Sequence, residues 1–359
     1  MYTHAKRVWM ITDIHFGVRA NSREWSEIQR AYFFNFFIPL VKKEFRQGDV
    51  LLILGDIFDN RQAISIPTQH LALDVFEALI GVFDTIVAIA GNHDIWGKTS
   101  NEMNSLRMLR LLGIHIYEEP KVVNFGPSKF LLMPWRKDHE AEAACVKEFI
   151  GQADYVASHC DVNGAKFNKA VYITEGVDAN NFSSFKKVYT GHIHYAQNVE
   201  PNIKLLGCPY QMSRSDMNNK KGVTVLDVES GEEIYFENKY SPKFIKIGLN
   251  ELLEMTPIQA RKICNNNFVD VTLGNESALK APLSILIELL EDSYRRIDFQ
   301  VVSRSQDLPD VEISTGSGFN FSELMELYVK EMPYEADTQK KVLDSLKKLH
   351  KLAEQRMIN

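Results

Sequence analysis

Over the first two-thirds of the chain, short apolar runs alternate with amphipathic stretches, a pattern that indicates an α/β fold. The runs are nearly continuous in apolar character, which predicts strands buried on both faces of a parallel sheet. They are Val8–Ile11, Val50–Leu54, Thr85–Ala90, Phe130–Met133, Tyr155–Ala157 and Lys187–Tyr189. Between them we expect helices at Trp25–Lys43, Thr68–Ile80 and Glu102–Leu112, the last ended by Gly113.

The pattern changes near residue 200, where antiparallel strands are predicted at Ile203–Leu206, Val223–Val228 and Glu233–Asn238. Beyond Ser241-Pro242 follows a small α+β unit. Its predicted elements are strand Phe244–Ile247, helix Pro257–Asn265, strand Phe268–Thr272, helix Pro282–Tyr294 and strand Asp298–Val302. Two amphipathic helices are predicted at the end, at Phe321–Val329 and Thr338–Gln355. The chain thus divides into 1–240, 241–306, a linker at 307–320 and a tail at 321–359.

Composition excludes several classes of protein. The 359 residues are 45% hydrophobic and 25% charged, as is typical of a globular protein. The net charge of -6 does not indicate a strongly basic nucleic-acid-binding protein. The four cysteines lie far apart without a CxxC motif, which argues against a disulfide framework and favours a reducing, cytoplasmic compartment. Asp13 and His15 interrupt the first apolar run, so we expect no signal peptide. No apolar stretch approaches the roughly 20 residues of a membrane span.

Polar clusters follow five of the predicted strands. They are Asp13-Ile14-His15, Gly55-Asp56-Ile57-Phe58-Asp59, Gly91-Asn92-His93-Asp94, Ser158-His159 and Gly191-His192-Ile193-His194. In open parallel sheets, ligands bind beyond the carboxyl ends of the strands, so these clusters are expected to meet in one crevice. Five of the ten histidines lie in them. Imidazole, carboxylate and amide ligands without thiolates suit Mn, Fe or Zn, and the glycines permit sharp turns and close approach to a ligand.

The order DxH…GDxxD…GNHD…H…GHxH over residues 13–194 resembles the calcineurin-like metallophosphoesterase superfamily. The resemblance implies a β-sandwich flanked by helices and a site for two metal ions. Asp13, His15 and His194 would hold one metal ion, and Asn92, His159 and His192 would hold the other. Asp56 would bridge the two ions. His93 would act as the general acid, with Asp94 orienting it.

Further motifs resemble the SbcD-like nuclease subunits of recombination-repair complexes, which have relatives in tailed phages. They are His15-Phe16-Gly17 and the segment Leu206–Asp216, in which Cys208 stands where serine is usual. The resemblance implies a Mn-dependent DNA exonuclease and endonuclease, with Mg as a possible substitute. It also implies an SMC-like coiled-coil ATPase as partner and a homodimer within a heterotetramer. Asp59 replaces a histidine of archaeal and eukaryotic members, and its expected role is to cap the following helix.

Substrate and partner contacts are predicted from position alone. Phosphate contacts to DNA are expected from Arg19, Asn21, Arg23 and Arg61. In the tail, the apolar stripe with Leu343, Leu346 and Leu349 is expected to bind the ATPase. Two alternatives remain open. One is a stand-alone phosphatase or cyclic-nucleotide phosphodiesterase that uses the same site, and the other is a DNA-end-binding scaffold.

Overall fold

The computed structural model describes residues 2–97, 102–273, 296–301, 329 and 334–357. The chain forms two compact units, Met1–Val302 and Ser303–Asn359. The first unit contains fifteen described strands: β1 Arg7–Ile11, β2 Asp49–Ile53, β3 Ile86–Ile89, β4 His115–Tyr117, β5 Lys121–Phe125, β6 Ser128–Met133, β7 Tyr155–Ser158, β8 Lys187–Thr190, β9 Gln197–Glu200, β10 Ile203–Leu205, β11 Gly222–Asp227, β12 Glu233–Glu237, β13 Phe244–Gly248, β14 Phe268–Leu273 and β15 Arg296–Val301.

These strands form three sheets. The first sheet has the order β12-β11-β1-β2-β3-β4, and the second has the order β5-β6-β7-β8-β10-β9. In each of them four adjacent strands run parallel, namely β1 to β4 and β6, β7, β8 and β10. The third sheet, β13-β14-β15, is entirely parallel. The predicted α/β fold, a β-sandwich flanked by helices, is therefore confirmed.

The first and second sheets face each other across a shared core. Val8 and Met10 of β1 and Leu132 of β6 lie in this core, whereas Trp9 and Ile11 face the helices on the other side of the first sheet. A further apolar cluster lies on the outer face of the second sheet, beneath the helix His139–Glu148. Burial on both faces explains why the strands are apolar runs rather than alternating ones.

The predicted helix Trp25–Lys43 is interrupted. The structure has an α-helix at Arg23–Tyr32, a π-helical turn at Phe33–Phe37 and an α-helix at Ile38–Glu44. Pro39 has no N–H group to donate to the carbonyl four residues earlier, and a π-turn accommodates such a defect. The predicted helix Glu102–Leu112 is a 3₁₀ helix at Ser105–Leu112, and it ends at Gly113 as expected.

The helix Ile66–Ile80 begins at Ser65, whose side chain accepts a hydrogen bond from the backbone N–H of Thr68. The expectation that Asp59 caps this helix is therefore wrong. Asp59 lies several residues before the cap and contacts histidines instead.

Beyond residue 240, the third sheet packs on the first unit's core through Phe244 and Phe268. The predicted helices Pro282–Tyr294 and Phe321–Val329 and the linker 307–320 lie outside the described residues, except for Val329. In the second unit, the helix Ala336–Met357 includes the predicted stripe, and Leu343 and Leu346 on it are half-buried. Among the described residues, none of the helices combines the length and apolar character of a membrane span.

Candidate metal centre

The predicted ligand residues meet at one edge of the two facing sheets. Asp13 and His15 follow β1, Asp56 follows β2 and Asn92 follows β3. On the second sheet, His159 follows β7, and His192 and His194 follow β8. Among the described residues, four groups at this edge have ligand atoms within 4.8 Å of one another: Asp13, His15 and His194; His15, Asp56 and His93; Asp56, His159 and His192; and His194, Cys208 and Asp216.

The loops turn sharply at these strand ends. Asp13, His15, Asp56 and His192 all have positive φ, between 51° and 75°, a conformation that costs non-glycine residues about 1 kcal/mol or more. Gly91 allows the second and third loops to touch, because a Cβ there would lie 2.3 Å from the backbone nitrogen of Asp56. Strain and close packing are therefore concentrated where the polar side chains converge.

The first group is formed by Asp13, His15 and His194. The Nε2 atoms of the two histidines lie 3.1 Å apart, and each lies 3.8 Å from Asp13 Oδ1. The other oxygen of Asp13 accepts hydrogen bonds from Thr12 Oγ1 at 2.7 Å and from the backbone N–H of His192 at 3.2 Å. The carboxylate is thereby fixed with Oδ1 facing the two imidazoles.

The second group is formed around Asn92. Its Oδ1 lies 3.1 Å from His159 Nε2, 2.7 Å from His192 Nδ1 and 3.2 Å from Asp56 Oδ2. Asp56 stands between the two groups, since Oδ2 is 3.4 Å from His159 Nε2 and 3.6 Å from His15 Nε2. The His159 ring is oriented by a 2.6 Å hydrogen bond between Nδ1 and the carbonyl of Leu54.

The two central carboxylates remain ionised. Burial alone would raise the pKa of Asp13, but the neighbouring imidazoles of His15, His159 and His194 lower it to about 2. The pKa of Asp56 is lowered in the same way, against burial, chiefly by the charge of His159. In return, and also against burial, the carboxylates raise the pKa of His15 to about 10 and that of His159 to about 9. The cluster therefore stabilises positive charge at its centre.

The donor set fits two divalent cations. Asp13 Oδ1 is buried and has no hydrogen-bond donor among the described residues. Asn92 Oδ1 faces only atoms with lone pairs, although the amide in the opposite orientation would donate to them and accept from Arg61. A divalent cation bound here would satisfy these lone pairs. The chemistry of the site thus matches a pair of metal ions coordinated by nitrogen and oxygen.

His93 lies beside this cluster, and its contacts differ from those expected. Its Nδ1 is hydrogen-bonded to the backbone carbonyl of Asp59 at 2.6 Å, and its backbone N–H donates to Asp56 Oδ1 at 2.7 Å. Asp94, predicted to orient His93, instead accepts hydrogen bonds from the backbone N–H groups of Ile57, Phe58 and Gly91. Asp94 therefore holds the two loops together, and the Asp59 carbonyl orients the imidazole.

Two carboxylates near the cluster were not predicted from the sequence. Asp59 Oδ1 lies 3.2 Å from His15 Nδ1, and Asp161 Oδ2 lies 3.3 Å from His192 Nε2. Each contacts the ring nitrogen that faces away from the cluster, which is how outer carboxylates orient metal-binding histidines. The spacing of Asp59 after Asp56 was visible in the sequence, whereas nothing in the sequence marked Asp161.

The residues predicted to contact DNA lie in different surroundings. Arg61 is half-buried and donates from Nε to the carbonyl of Asn92 at 2.7 Å, directly beside the cluster. Arg19 is exposed and donates to the carbonyl of Met212 at 3.1 Å. Asn21 accepts from Thr68 Oγ1, and Arg23 is paired with Glu27 on the surface. Of the four, the structure brings only Arg61 into contact with a predicted metal ligand.

A cavity of about 480 Å³ opens over the cluster. Asp56, His93, His192 and His194 are among the residues that line it. Its remaining lining comes from two loops, represented by Phe167 and Ile173 in one and by Ser213, Ser215 and Asp216 in the other. The volume is in the range of ligand sites, so the cluster is accessible to a substrate of about nucleotide size.

Residues 6–196 match the family described as calcineurin-like phosphoesterase. The chain is 23% identical to Exonuclease subunit 1 of Enterobacteria phage T4, over 94% of this chain and 96% of that protein. It is 25% identical to a subunit of the nuclease SbcCD of Staphylococcus epidermidis, over 84% of this chain and 87% of that protein. A crystal structure of a Vps29 mutant from Entamoeba histolytica aligns at 14% identity and a TM-score of 0.31, over 64% of this chain and 99% of that one.

Proposed function

Because the chain belongs to the calcineurin-like phosphoesterase family, we propose that it is a nuclease subunit that hydrolyses phosphodiester bonds in DNA with two divalent cations. The observation that carries this proposal is the convergence of the seven polar side chains at the strand ends beneath an open cavity. The DNA substrate is supported by the relatives over nearly the whole chain that are named as an exonuclease subunit and a nuclease subunit.

In this proposal Asp13, His15 and His194 would hold one cation, Asn92, His159 and His192 would hold the other, and Asp56 would serve both. Mn²⁺ is the expected ion and Mg²⁺ a possible substitute, because imidazole nitrogen and carboxylate oxygen together suit Mn. When bound, the cations supply an activated water nucleophile and neutralise charge on the phosphate. The positive φ values and the contacts between loops keep the ligand atoms in place before the cations bind.

His93 supplies the proton for the leaving oxygen. Its Nδ1 is held by the Asp59 carbonyl, so Nε2 is the nitrogen available to the cavity that His93 lines. The backbone hydrogen bond from His93 to Asp56 fixes the distance between this acid and the bridging carboxylate. General acid catalysis of this kind contributes roughly 10²–10⁴-fold to the rate.

Arg61 is the strongest of the four candidates for a DNA phosphate contact, because its guanidinium lies against the Asn92 loop. Arg19, Asn21 and Arg23 would contact the backbone farther from the cluster. Phosphate contacts position DNA without reading its sequence, which suits an enzyme that acts on DNA ends.

We propose further that the subunit works as a homodimer with an SMC-like coiled-coil ATPase in recombination and double-strand break repair. The relatives support a partner, since both are named as subunits. The helix Ala336–Met357, with Leu343, Leu346 and Leu349, is the proposed docking element. The expected location is the cytoplasm of a bacterial or phage-infected cell.

The test is a nuclease assay on the Mn-loaded protein, with and without the co-expressed ATPase. Linear duplex DNA and single-stranded DNA serve as substrates, and p-nitrophenyl phosphate serves as a small monoester. Cleavage of DNA that requires Mn supports the proposal. Efficient hydrolysis of the monoester without DNA cleavage would instead identify a stand-alone phosphatase, and absence of all hydrolysis would favour a DNA-end-binding scaffold.

A further inference from the structure

Residues 161–178 form a loop, here called the strap, at the rim of the cavity. Its two ends are anchored by Val162 and Val177, which are fully buried and pair as a short parallel bridge. The backbone N–H of Val177 donates to the carbonyl of Asp161 at 2.9 Å. The strap therefore begins at the carboxylate that contacts His192, and its position is tied to that of the candidate metal centre.

The outer part of the strap is also fixed. The backbone N–H of Phe167 donates to the carbonyl of Val171 at 2.8 Å, which closes a tight turn. The side chain of Gln197 accepts from the backbone N–H of Lys166 at 2.8 Å and donates to its carbonyl at 2.6 Å. These hydrogen bonds hold the backbone at Lys166 and Phe167 in place.

Three large apolar side chains of the strap are exposed to solvent despite these hydrogen bonds. The exposed fractions are 55% for Phe167, 50% for Val171 and 56% for Tyr172. Lys166 Nζ lies 5.7 Å from the centre of the Tyr172 ring, so the cation covers one face of that ring. Phe167, by contrast, lines the cavity together with His192 and His194.

Two lysines lie beside Phe167 at the tip of the strap. Residues 166–172 contain Lys166 and Lys169, whereas the acidic residues of the strap, Asp161, Glu175 and Asp178, lie towards its two ends. A flat apolar ring beside lysines, at the rim of a site for a phosphodiester, is the combination with which proteins bind single-stranded nucleic acid. A protein partner would not need the apolar ring to line the same cavity as the candidate catalytic groups.

From this geometry we propose that Phe167 is a stacking platform for an unpaired nucleobase adjacent to the scissile phosphate. The proposal rests on the proposed nuclease function and deepens it by naming the substrate class: single-stranded DNA or a frayed duplex end. Within a duplex both faces of each internal base are covered by neighbouring bases. An internal base therefore stacks on a protein ring only when it has left the duplex stack, as it does in single-stranded DNA or at a frayed end.

The test pairs a change in the protein with a change in the DNA. The Mn-loaded protein cleaves a single-stranded oligonucleotide that carries either a normal base or an abasic nucleotide at the cleavage position. With the unaltered protein, kcat/KM is expected to be about 10-fold lower for the abasic substrate, the size of one lost stacking contact. Phe167→Ala should show the same loss with the normal base and no further loss with the abasic nucleotide. Phe167→Trp should restore the difference.

A second readout measures binding without cleavage. In the Asp56→Asn background, 2-aminopurine at the same position should lose fluorescence on binding to protein with Phe167 and keep it with Phe167→Ala. The matched control is Ile258→Ala, which removes a side chain that is 81% exposed on the helix Pro257–Cys264. This control should change neither measurement.

The outcomes separate the two proposals. DNA cleavage with equal kcat/KM for the normal and abasic substrates would overturn the platform and leave the nuclease function standing. An abasic effect that persists undiminished in Phe167→Ala would overturn it as well. Absence of Mn-dependent cleavage of any DNA would overturn the nuclease function on which the platform rests.

Discussion

The loops of the first sheet and those of the second sheet present their side chains to the candidate metal centre differently. The side chains of Asp13, His15 and Asp56, on the first sheet, are at most 3% exposed. On the second sheet, the side chains of His192 and His194 are 22% and 37% exposed. The difference indicates a closed base, which fixes the charge of the site, and an open side, through which a phosphate reaches it.

The hydrogen bonds show the same difference. On the first sheet, Asp13 and Asp56 each accept a hydrogen bond from the backbone of a neighbouring loop, and Asp94 accepts three. On the second sheet, His192 is oriented by the side chain of Asp161. There are two exceptions: His159 is fully buried and contacts a backbone carbonyl, and His15 on the first sheet contacts the side chain of Asp59. The carboxylates of the first sheet are therefore held mainly by backbone groups, whereas the partly exposed His192 of the second sheet is held by a side chain.

The largest effect is expected from Asp56, at the closed side of the site. Asp56→Asn removes the charge that lies between both groups of ligands, and it should lower DNA cleavage on the order of 10³-fold or more. Bound Mn, measured by elemental analysis, should fall together with activity. Asp74→Asn, a surface carboxylate paired with Arg30, is the matched control and should change neither. Full activity of Asp56→Asn would contradict the two-metal assignment.

A smaller effect is expected from His93, the proposed general acid. His93→Ala should lower cleavage by roughly 10²–10⁴-fold, because it removes the proton donor. The protein should keep two Mn ions per chain and its affinity for DNA, as measured by elemental analysis and fluorescence anisotropy. Loss of one Mn ion would show instead that His93 is a metal ligand. Its ligand atom lies within 4.8 Å of those of His15 and Asp56.

The two outer carboxylates allow the two sides to be compared directly. Asp59→Asn should lower the affinity of the metal site that includes His15, and Asp161→Asn should lower the affinity of the metal site that includes His192. Each substitution is expected to lower affinity by about 10–100-fold, because the histidine loses the carboxylate that orients its ring. Calorimetric titration with Mn resolves the two sites, and each variant serves as the control for the other. Equal weakening of both sites by either variant would contradict the separate assignment.

The smallest effect on the site is expected from the C-terminal tail, residues 321–359. Deletion of residues 321–359 should leave basal nuclease activity and metal content unchanged, because Met1–Val302 forms a compact unit of its own. Co-purification with the ATPase and stimulation by ATP should be lost. A pull-down and a thermal melt check this outcome. Undiminished ATPase binding, or aggregation of the truncated protein, would contradict the docking role.

Much of the fold was predictable because the strands of a two-layered sandwich are buried on both faces. Runs such as Val8–Ile11 and Val50–Leu54 therefore stand out as continuous apolar segments. The strands β4, β5 and β9 were not predicted, since they lie at or near sheet edges and mix polar with apolar residues. The π-turn at Phe33–Phe37 was hidden because an amphipathic period does not distinguish a regular helix from a locally widened one.

By itself, the sequence determined which residue types follow which strands. Since the carboxyl ends of parallel strands in one sheet share one edge, that order was sufficient to bring Asp13, Asp56 and Asn92 together, whereas the facing of the two sheets added His159. Only the tertiary structure decided the contacts made across loops. It placed Asp59 beside His15 and Asp161 beside His192. It also directed the Asp94 carboxylate to backbone N–H groups and placed Phe167 at the cavity. These contacts depend on the φ angles and close approach of loops distant in sequence, which no local pattern of residues encodes.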